Sequence, residues 1–396
     1  MTQQIDTLSR LIQFDSQTET PGESDITRHL IGYMEKMGLE THLEEVEPGR
    51  YNAIGVWRGK TGKPSLMFNG HVDTNPVGEG WTVDPWAGTF DDQFIYGIGV
   101  SNMKAGCAAY LCAVEQLIEE GVRLEGDIIL TFVVGELQNG VGTAKMVQDG
   151  WRTDYFINCE PTDLQALTLH AGAFNFDIEL TGETRHLSKR EEAVDAIAAA
   201  CTVIPRLNSM TFRGAETEDH RSVNRCHVGV MRGALSREFR EWRPPQVADF
   251  AHLAGSARFS PSQTIDSVLN DIRGVLGDLE LEYPGLRTTV KRQVAVEGRP
   301  YFTAFEVDRH APIVTQLNKA WRDVRGGSQP TGVIRPCCFF GSDASHLANA
   351  GMQGVVCGPG GKYNTMPDER VDIVDYLDAI QMYKKIAWAV CGPEGG

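Results

Sequence analysis

Short apolar runs alternate with helical patterns through the first 165 residues. "SLMFNG", "IILTFVV" and "YFINCE" are apolar on both faces, and "MKAGCAAYLCAVEQLIEEG" and "MVQDGW" carry a helical period between them. This order predicts an α/β fold with a mainly parallel sheet covered by helices on both faces. From about residue 172 the period shortens to two: "GAFNFDIELTG" alternates apolar and polar positions, as a half-exposed antiparallel strand does. Helix patterns in "EEAVDAIAAACTVIPRLNSM" and "SQTIDSVLNDIRGVLGDL", with a further strand in "RCHVGVMRGA", predict an inserted α+β unit over residues 172–297. The flanking segments, 1–171 and 298–396, then form one domain. "APIVTQLNKAWRDV" and "GVVCGPG" return to the first rhythm, and "VDIVDYLDAIQMYKKIAWAV" predicts a closing helix.

Each buried run of the first segment ends in polar residues. "SLMFNG" leads to His71 and Asp73, "IILTFVV" to Glu136 and "YFIN" to Glu160. Ligands of open α/β sheets bind beyond the carboxyl ends of the strands, so these residues outline a candidate site. His71 and Asp73 are two apart, which on an extended segment turns both the same way and lets the carboxylate orient the imidazole. Glu136 sits between a buried strand and the glycine-rich "NGVGT", where a carboxylate is costly to bury unless it is used or paired. Leu137 reads as a core side chain. In "GIGVSNMKAG", Asn102 reads as the N-cap of the following helix, worth about 1 kcal/mol; a contact with the site is left open.

Charge narrows the ligand classes. A formal net charge of −16 and an isoelectric point near 5.1 argue against nucleic acid and anionic membranes and leave small molecules or proteins. The first residues, "MTQQIDTLSRLIQFDSQT", lack the basic and apolar regions of a signal peptide and read as a surface helix. The longest apolar runs fall far short of the ~20 residues of a membrane span, and a cytoplasmic location is expected. Nine cysteines in apolar contexts suit reduced, packed thiols, and the adjacent Cys337 and Cys338 form no structural zinc motif.

Read in order, "GHVDT", "GIGVSNMKAG", "GELQNGVGT", "NCEP", "GETRHLS", "GSDA" and "GPGGKYNTMPDER" resemble the successive motifs of the M20 family of metallohydrolases. The resemblance runs from about residue 65 to 373. It implies a catalytic α/β domain with a dinuclear, usually zinc, centre and an inserted lid domain that dimerises. It also implies roles by position: His71 a metal ligand, Asp73 the carboxylate behind it, Glu136 the general base and Glu160 an acidic ligand of the metal that His71 binds. Asn102 falls where the family has a bridging aspartate, Leu137 where it has a second glutamate ligand, and Thr365 where it has a histidine four residues before Glu369. Those three substitutions remove one metal site. The other keeps His71 and Glu160, with Asn102 able to offer a neutral amide oxygen. The cofactor expected is thus at most one divalent metal, zinc or else manganese or cobalt, and a metal-free form is an alternative.

The resemblance further implies that His186 reaches the active site of a second subunit of a homodimer and hydrogen-bonds the oxyanion there. It places Arg258 in "GSARFSP" as a lid arginine for a substrate carboxylate, although "LSREFREWRPPQVADF" departs from the family pattern. Asn102 and Thr365 are also candidate substrate contacts. His346 is read as a helix residue rather than a substitute ligand. The expected function is hydrolysis of a C–N bond in a small, carboxylate-bearing substrate. The alternative is a metal-free member acting in acyl transfer or ring opening, or a binding protein without catalysis.

Overall fold

A computed structural model describes residues 2–241, 243–294 and 298–393. The chain divides into two compact units, one made of Met1–Leu169 with Phe305–Gly396 and the other of His170–Ala304. The inserted unit thus begins two residues before the boundary read from the alternation. Its far boundary was read at residue 297, which lies outside the described residues.

The first unit opens with helices α1 (Thr2–Ile12) and α2 (Gly22–Lys36), followed by strands β1 (Glu40–Glu47), β2 (Arg50–Trp57), β3 (Gly62–His71) and β4 (Phe94–Tyr96). Helix α3 (Ala105–Glu119), strand β5 (Gly126–Val133), helix α4 (Val141–Gln148) and strands β6 (Tyr155–Pro161) and β7 (Ala166–Leu167) complete its first segment. The second unit holds β8 (Gly172–Thr181), α5 (Ala196–Ser209), β9 (Arg225–Ala234), β10 (Phe250–Phe259), α6 (Ile265–Glu282) and β11 (Arg287–Arg292). The chain returns to the first unit through α7 (Pro312–Arg325), β12 (Thr331–Gly332), α8 (Ala344–Asn349), β13 (Gln353–Gly358), β14 (Arg370–Asp372) and α9 (Ile373–Cys391).

The large sheet has the order β1-β2-β5-β3-β6-β13-β7-β12. Its centre, β5-β3-β6-β13, is parallel, and antiparallel β1 and β2 extend one edge. Central position explains the composition of β3: from Ser65 to His71 every residue is buried, because helices cover both faces. Helix α3 lies close against β6 because residue 106 is glycine; a Cβ there would come within 2.5 Å of the Cys159 carbonyl.

In the second unit the sheet order is β9-β10-β8-β11, all antiparallel. Strand β8 buries Phe174, Phe176, Ile178 and Leu180 in one core with residues of α5 and α6 while the intervening residues face outward. Both helices start on side-chain caps: Asp195 accepts from the N–H groups of Ile197 and Ala198, and Thr264 and Ser267 form a reciprocal capping box. No helix among the described residues is long and apolar enough to cross a membrane.

Candidate active site

Three adjacent parallel strands deliver the chemistry. In the ladders of β3 with its neighbours, His71 faces Val133 of β5 and Asn69 faces Asn158 of β6, so the carboxyl ends lie side by side. His71 ends β3, Glu136 follows β5 on a single 3₁₀ turn after left-handed Gly135, and Glu160 lies near the end of β6. His71, Glu136 and Glu160 are buried, and each offers a donor atom within 4.8 Å of the others. The Nε2 of His71 lies 3.6 Å from Glu160 Oε1, 4.0 Å from Glu136 Oε2 and 3.3 Å from Asn102 Oδ1.

Asp73 joins these parts. Its backbone carbonyl accepts from His71 Nδ1 at 2.9 Å. Its carboxylate accepts the N–H groups of Glu136 at 3.1 Å and Leu137 at 3.2 Å, and the Thr18 hydroxyl at 3.0 Å. Burial works against ionisation of Asp73, but His71 and those two N–H groups outweigh it and hold its carboxyl below the ordinary range. Asp73 therefore fixes the imidazole through its carbonyl and the turn that carries Glu136 through its carboxylate.

Negative charge is in excess at this centre. Burial, reinforced by Glu160, raises Glu136 well above the usual carboxyl range; burial also raises Glu160 to about 7, with His71 pulling the other way. Burial disfavours a charged His71, yet Glu160, Asp73 and Glu136 overcome it and hold His71 well above 6.5. In the ion-free protein its two nitrogens thus donate to the Asp73 carbonyl and to Asn102 Oδ1. The donor set, one imidazole with two carboxylates and an amide oxygen, fits a single divalent ion of the zinc or manganese kind. Among the described residues this is the one group of three such donors close enough to hold an ion.

The turn carrying Asn102 differs from the sequence reading. Helix α3 begins at Ala105 with Lys104 at its N-cap position, and no side-chain cap is formed. Asn102 lies three residues before that start, in an irregular helical turn at φ −118° and ψ 85°, so it is not the helix cap. The turn is held by Glu369, whose carboxylate accepts the N–H groups of Gly99, Ser101 and Asn102. Leu137 is likewise not a core residue: it is 38% exposed on the turn behind Glu136. Thr365, at φ +51°, lines a cavity together with Asn102 and Glu369.

His186 and Arg258 belong to the second unit. His186 is exposed, and its Nδ1 pairs with the hydroxyl and N–H of Ser188. Arg258 lies on β10 and donates to Ser256 Oγ and the Ala257 carbonyl; burial, with Arg225 alongside, lowers its pKa. The altered stretch before it contains Trp242, which lies outside the described residues. His346 pairs through Nε2 with the Asn139 carbonyl at 2.8 Å and sits outside the donor group, as a helix residue.

Two buried groups escaped sequence reasoning. Asp343, in "GSDASHL", is 1% exposed beside the Thr143 hydroxyl, and burial raises its carboxyl to about 7. Gly140 leaves room for it, since a Cβ there would strike Asp343 Oδ1. Lys104 is fully buried, donates to the Phe14 carbonyl at 3.0 Å and lies 5.6 Å from the Trp86 ring; burial lowers its pKa to about 7 against the pull of Glu369. The available signal was an ionisable residue within an apolar run, which does not reveal its partners.

Fold and donor set together define a hydrolytic enzyme of the amidohydrolase type. Residues 67–389 match the model of peptidase family M20/M25/M40, and the chain belongs to that family. Among curated relatives, N-formyl-4-amino-5-aminomethyl-2-methylpyrimidine deformylase of Bacillus subtilis is 27% identical over 88% of this chain and 85% of its own. Acetylornithine deacetylase of Aliivibrio fischeri is 25% identical over 79% and 80%. Among solved structures, aminopeptidase PepT from Bacillus cereus superposes with a TM-score of 0.78 at 19% identity, covering 97% of both chains. A dinuclear metal binding peptidase of the family from Bacillus subtilis gives 0.71 at 17% identity, covering 98% and 97%.

Proposed function

We propose that this hydrolase cleaves the amide bond of a small N-acyl amine with Glu136 as general base and at most one divalent ion. The observation that carries the reading is the buried group of His71, Glu136 and Glu160, with every donor atom within 4.8 Å of the others. His71, Glu160 and Asn102 would hold the ion, which when bound polarises the amide carbonyl and makes water more acidic. Asp73 holds the His71 ring through its carbonyl and the Glu136 turn through its carboxylate. Glu136 takes the proton of the attacking water and returns it to the leaving nitrogen. Relatives named for removing formyl and acetyl groups from nitrogen support this class of bond.

The reading includes a homodimer in which His186 of one copy donates to the oxyanion formed in the other. Its exposed position supports this role, as does edge strand β9, where Val230 and Met231 are 46% and 43% exposed. A cytoplasmic location completes the proposal.

Metal analysis combined with turnover of N-formyl, N-acetyl and N-succinyl amines tests it. At most one equivalent of metal, lost in Glu160→Ala, and a fall of roughly 10²-fold or more in kcat for Glu136→Gln are expected. Unchanged turnover in Glu136→Gln removes the base from the mechanism, and two equivalents of metal overturn the single-ion reading. A metal-free protein with full activity replaces it with ion-independent chemistry.

A further inference from the structure

Beside Asn102 the first unit contains a cavity of about 490 Å³. Its walls are chemically one-sided. Trp81 and Met366 supply apolar surface, Asn102 and Thr365 an amide and a hydroxyl, and Glu79 a solvent-exposed carboxylate. Glu369 also borders it, with its oxygens engaged by three backbone N–H groups. Among the described residues, no lysine, arginine or histidine lines the space. The nearby ammonium of Lys104 is fully buried and turned to the Phe14 carbonyl.

An anionic group entering this cavity meets Glu79 and finds, among the described residues, no cationic side chain in the lining to replace its hydration. A flat cationic group meets the opposite conditions: an indole in the lining, of a ring type that attracts positive charge, and a carboxylate to pair with. Asn102 borders both the cavity and the cluster: it lines the one, and its Oδ1 stands 3.3 Å from His71 Nε2 of the other.

We propose that the cavity is a substrate subsite for a flat, positively charged end of the molecule, an arylmethylammonium or a protonated amino-substituted ring, with Trp81 and Glu79 setting the preference. The inference rests on reading the neighbouring cluster as an amide-cleaving centre, and its test measures binding without turnover. Benzylammonium, benzyl alcohol and phenylacetate serve as probes, with affinities taken from NMR titration of the full-length protein.

Benzylammonium should bind ~10-fold or more tightly than phenylacetate. Glu79→Gln, an exposed substitution that leaves folding intact, should remove most of that difference and leave benzyl alcohol unaffected. Trp81→Ala should weaken benzylammonium and benzyl alcohol alike, with circular dichroism confirming the fold. Phenylacetate binding as tightly as benzylammonium, or a preference that survives Glu79→Gln, overturns the proposal. Inactivity toward all N-acyl amines with the binding pattern intact leaves the cation site standing and sinks the catalytic reading alone.

Discussion

Asn102 carries an amide where the resemblance implied a bridging carboxylate, and the difference is one of charge rather than reach. Its oxygen stands 3.3 Å from His71 Nε2 and contributes no negative charge to an ion. In the proposed single-ion site binding rests on His71 and Glu160, and the ion-free protein holds both toward their protonated forms. Burial lifts Glu160 to about 7, and neighbouring carboxylates hold His71 well above 6.5. An ion needs the carboxylate and the free imidazole, so binding releases protons and weakens as pH falls. Calorimetric titration with Mn²⁺ or Zn²⁺ between pH 8 and 6 should show affinity dropping by up to ~10-fold per pH unit for each proton displaced. A pH-independent affinity would mean that these groups are already deprotonated. Loss of the Glu160 carboxylate should remove its share of the dependence together with most of the binding.

At the scale of elements, the turn before α3 shows what local pattern conveys and what it omits. A polar residue ahead of a helical run looks like a cap, and Asn102 has that appearance. The cap reading fails because the turn Val100–Lys104 leaves helical geometry at Asn102 and Met103, beside N–H groups held by Glu369, 267 positions on from Asn102. Such a partner is invisible to a window of sequence. Glu369→Gln keeps the shape and one acceptor but exchanges a carboxylate for an amide against three N–H groups. Burial raises Glu369 to about 7, so the comparison belongs at pH 8, where the carboxylate is ionised. Denaturant unfolding there should show a loss of about 1–3 kcal/mol. Unchanged stability would show that the turn holds without this partner. Leu137 misled for a related reason: an apolar letter after a buried strand suggests core, but the strand ends at Val133 and the side chain falls on the exposed outside of a turn. The parallel strands, the period-two strand β8 and helices α5, α6, α7 and α9 were legible, because burial on one or both faces imposes the period directly. Strand β1 was not read, since it is only partly buried and its pattern carries little signal; β2, though mostly buried, was not read either.

For the whole molecule, the inserted unit was visible as a change of rhythm, and the residues of the first unit that meet at its site were visible as strand ends. What pattern did not convey is the depth of charge beneath that site, where Asp73, Glu136, Glu160 and Asp343 are all buried with one histidine. The proposed homodimer makes a prediction at this scale. Glu136→Gln and His186→Ala should each be nearly inactive alone, whereas mixing and reassociating them should restore part of the activity. In a mixed dimer one site combines an intact Glu136 with the partner's intact His186. No recovery, with exchange of subunits confirmed by mass spectrometry, would place the action of His186 within its own chain or outside catalysis.

The double hold of Asp73 has a consequence for how such a site changes over evolution. The turn bearing Glu136 is moored to the sheet by the protein alone, through two N–H groups on a carboxylate that does not touch the ion's place. Substitutions of the proposed metal donors would therefore leave Glu136, the proposed base, seated. A lineage can shed an ion without dismantling its proton-transfer apparatus, and the remnant stays available for a different electrophile.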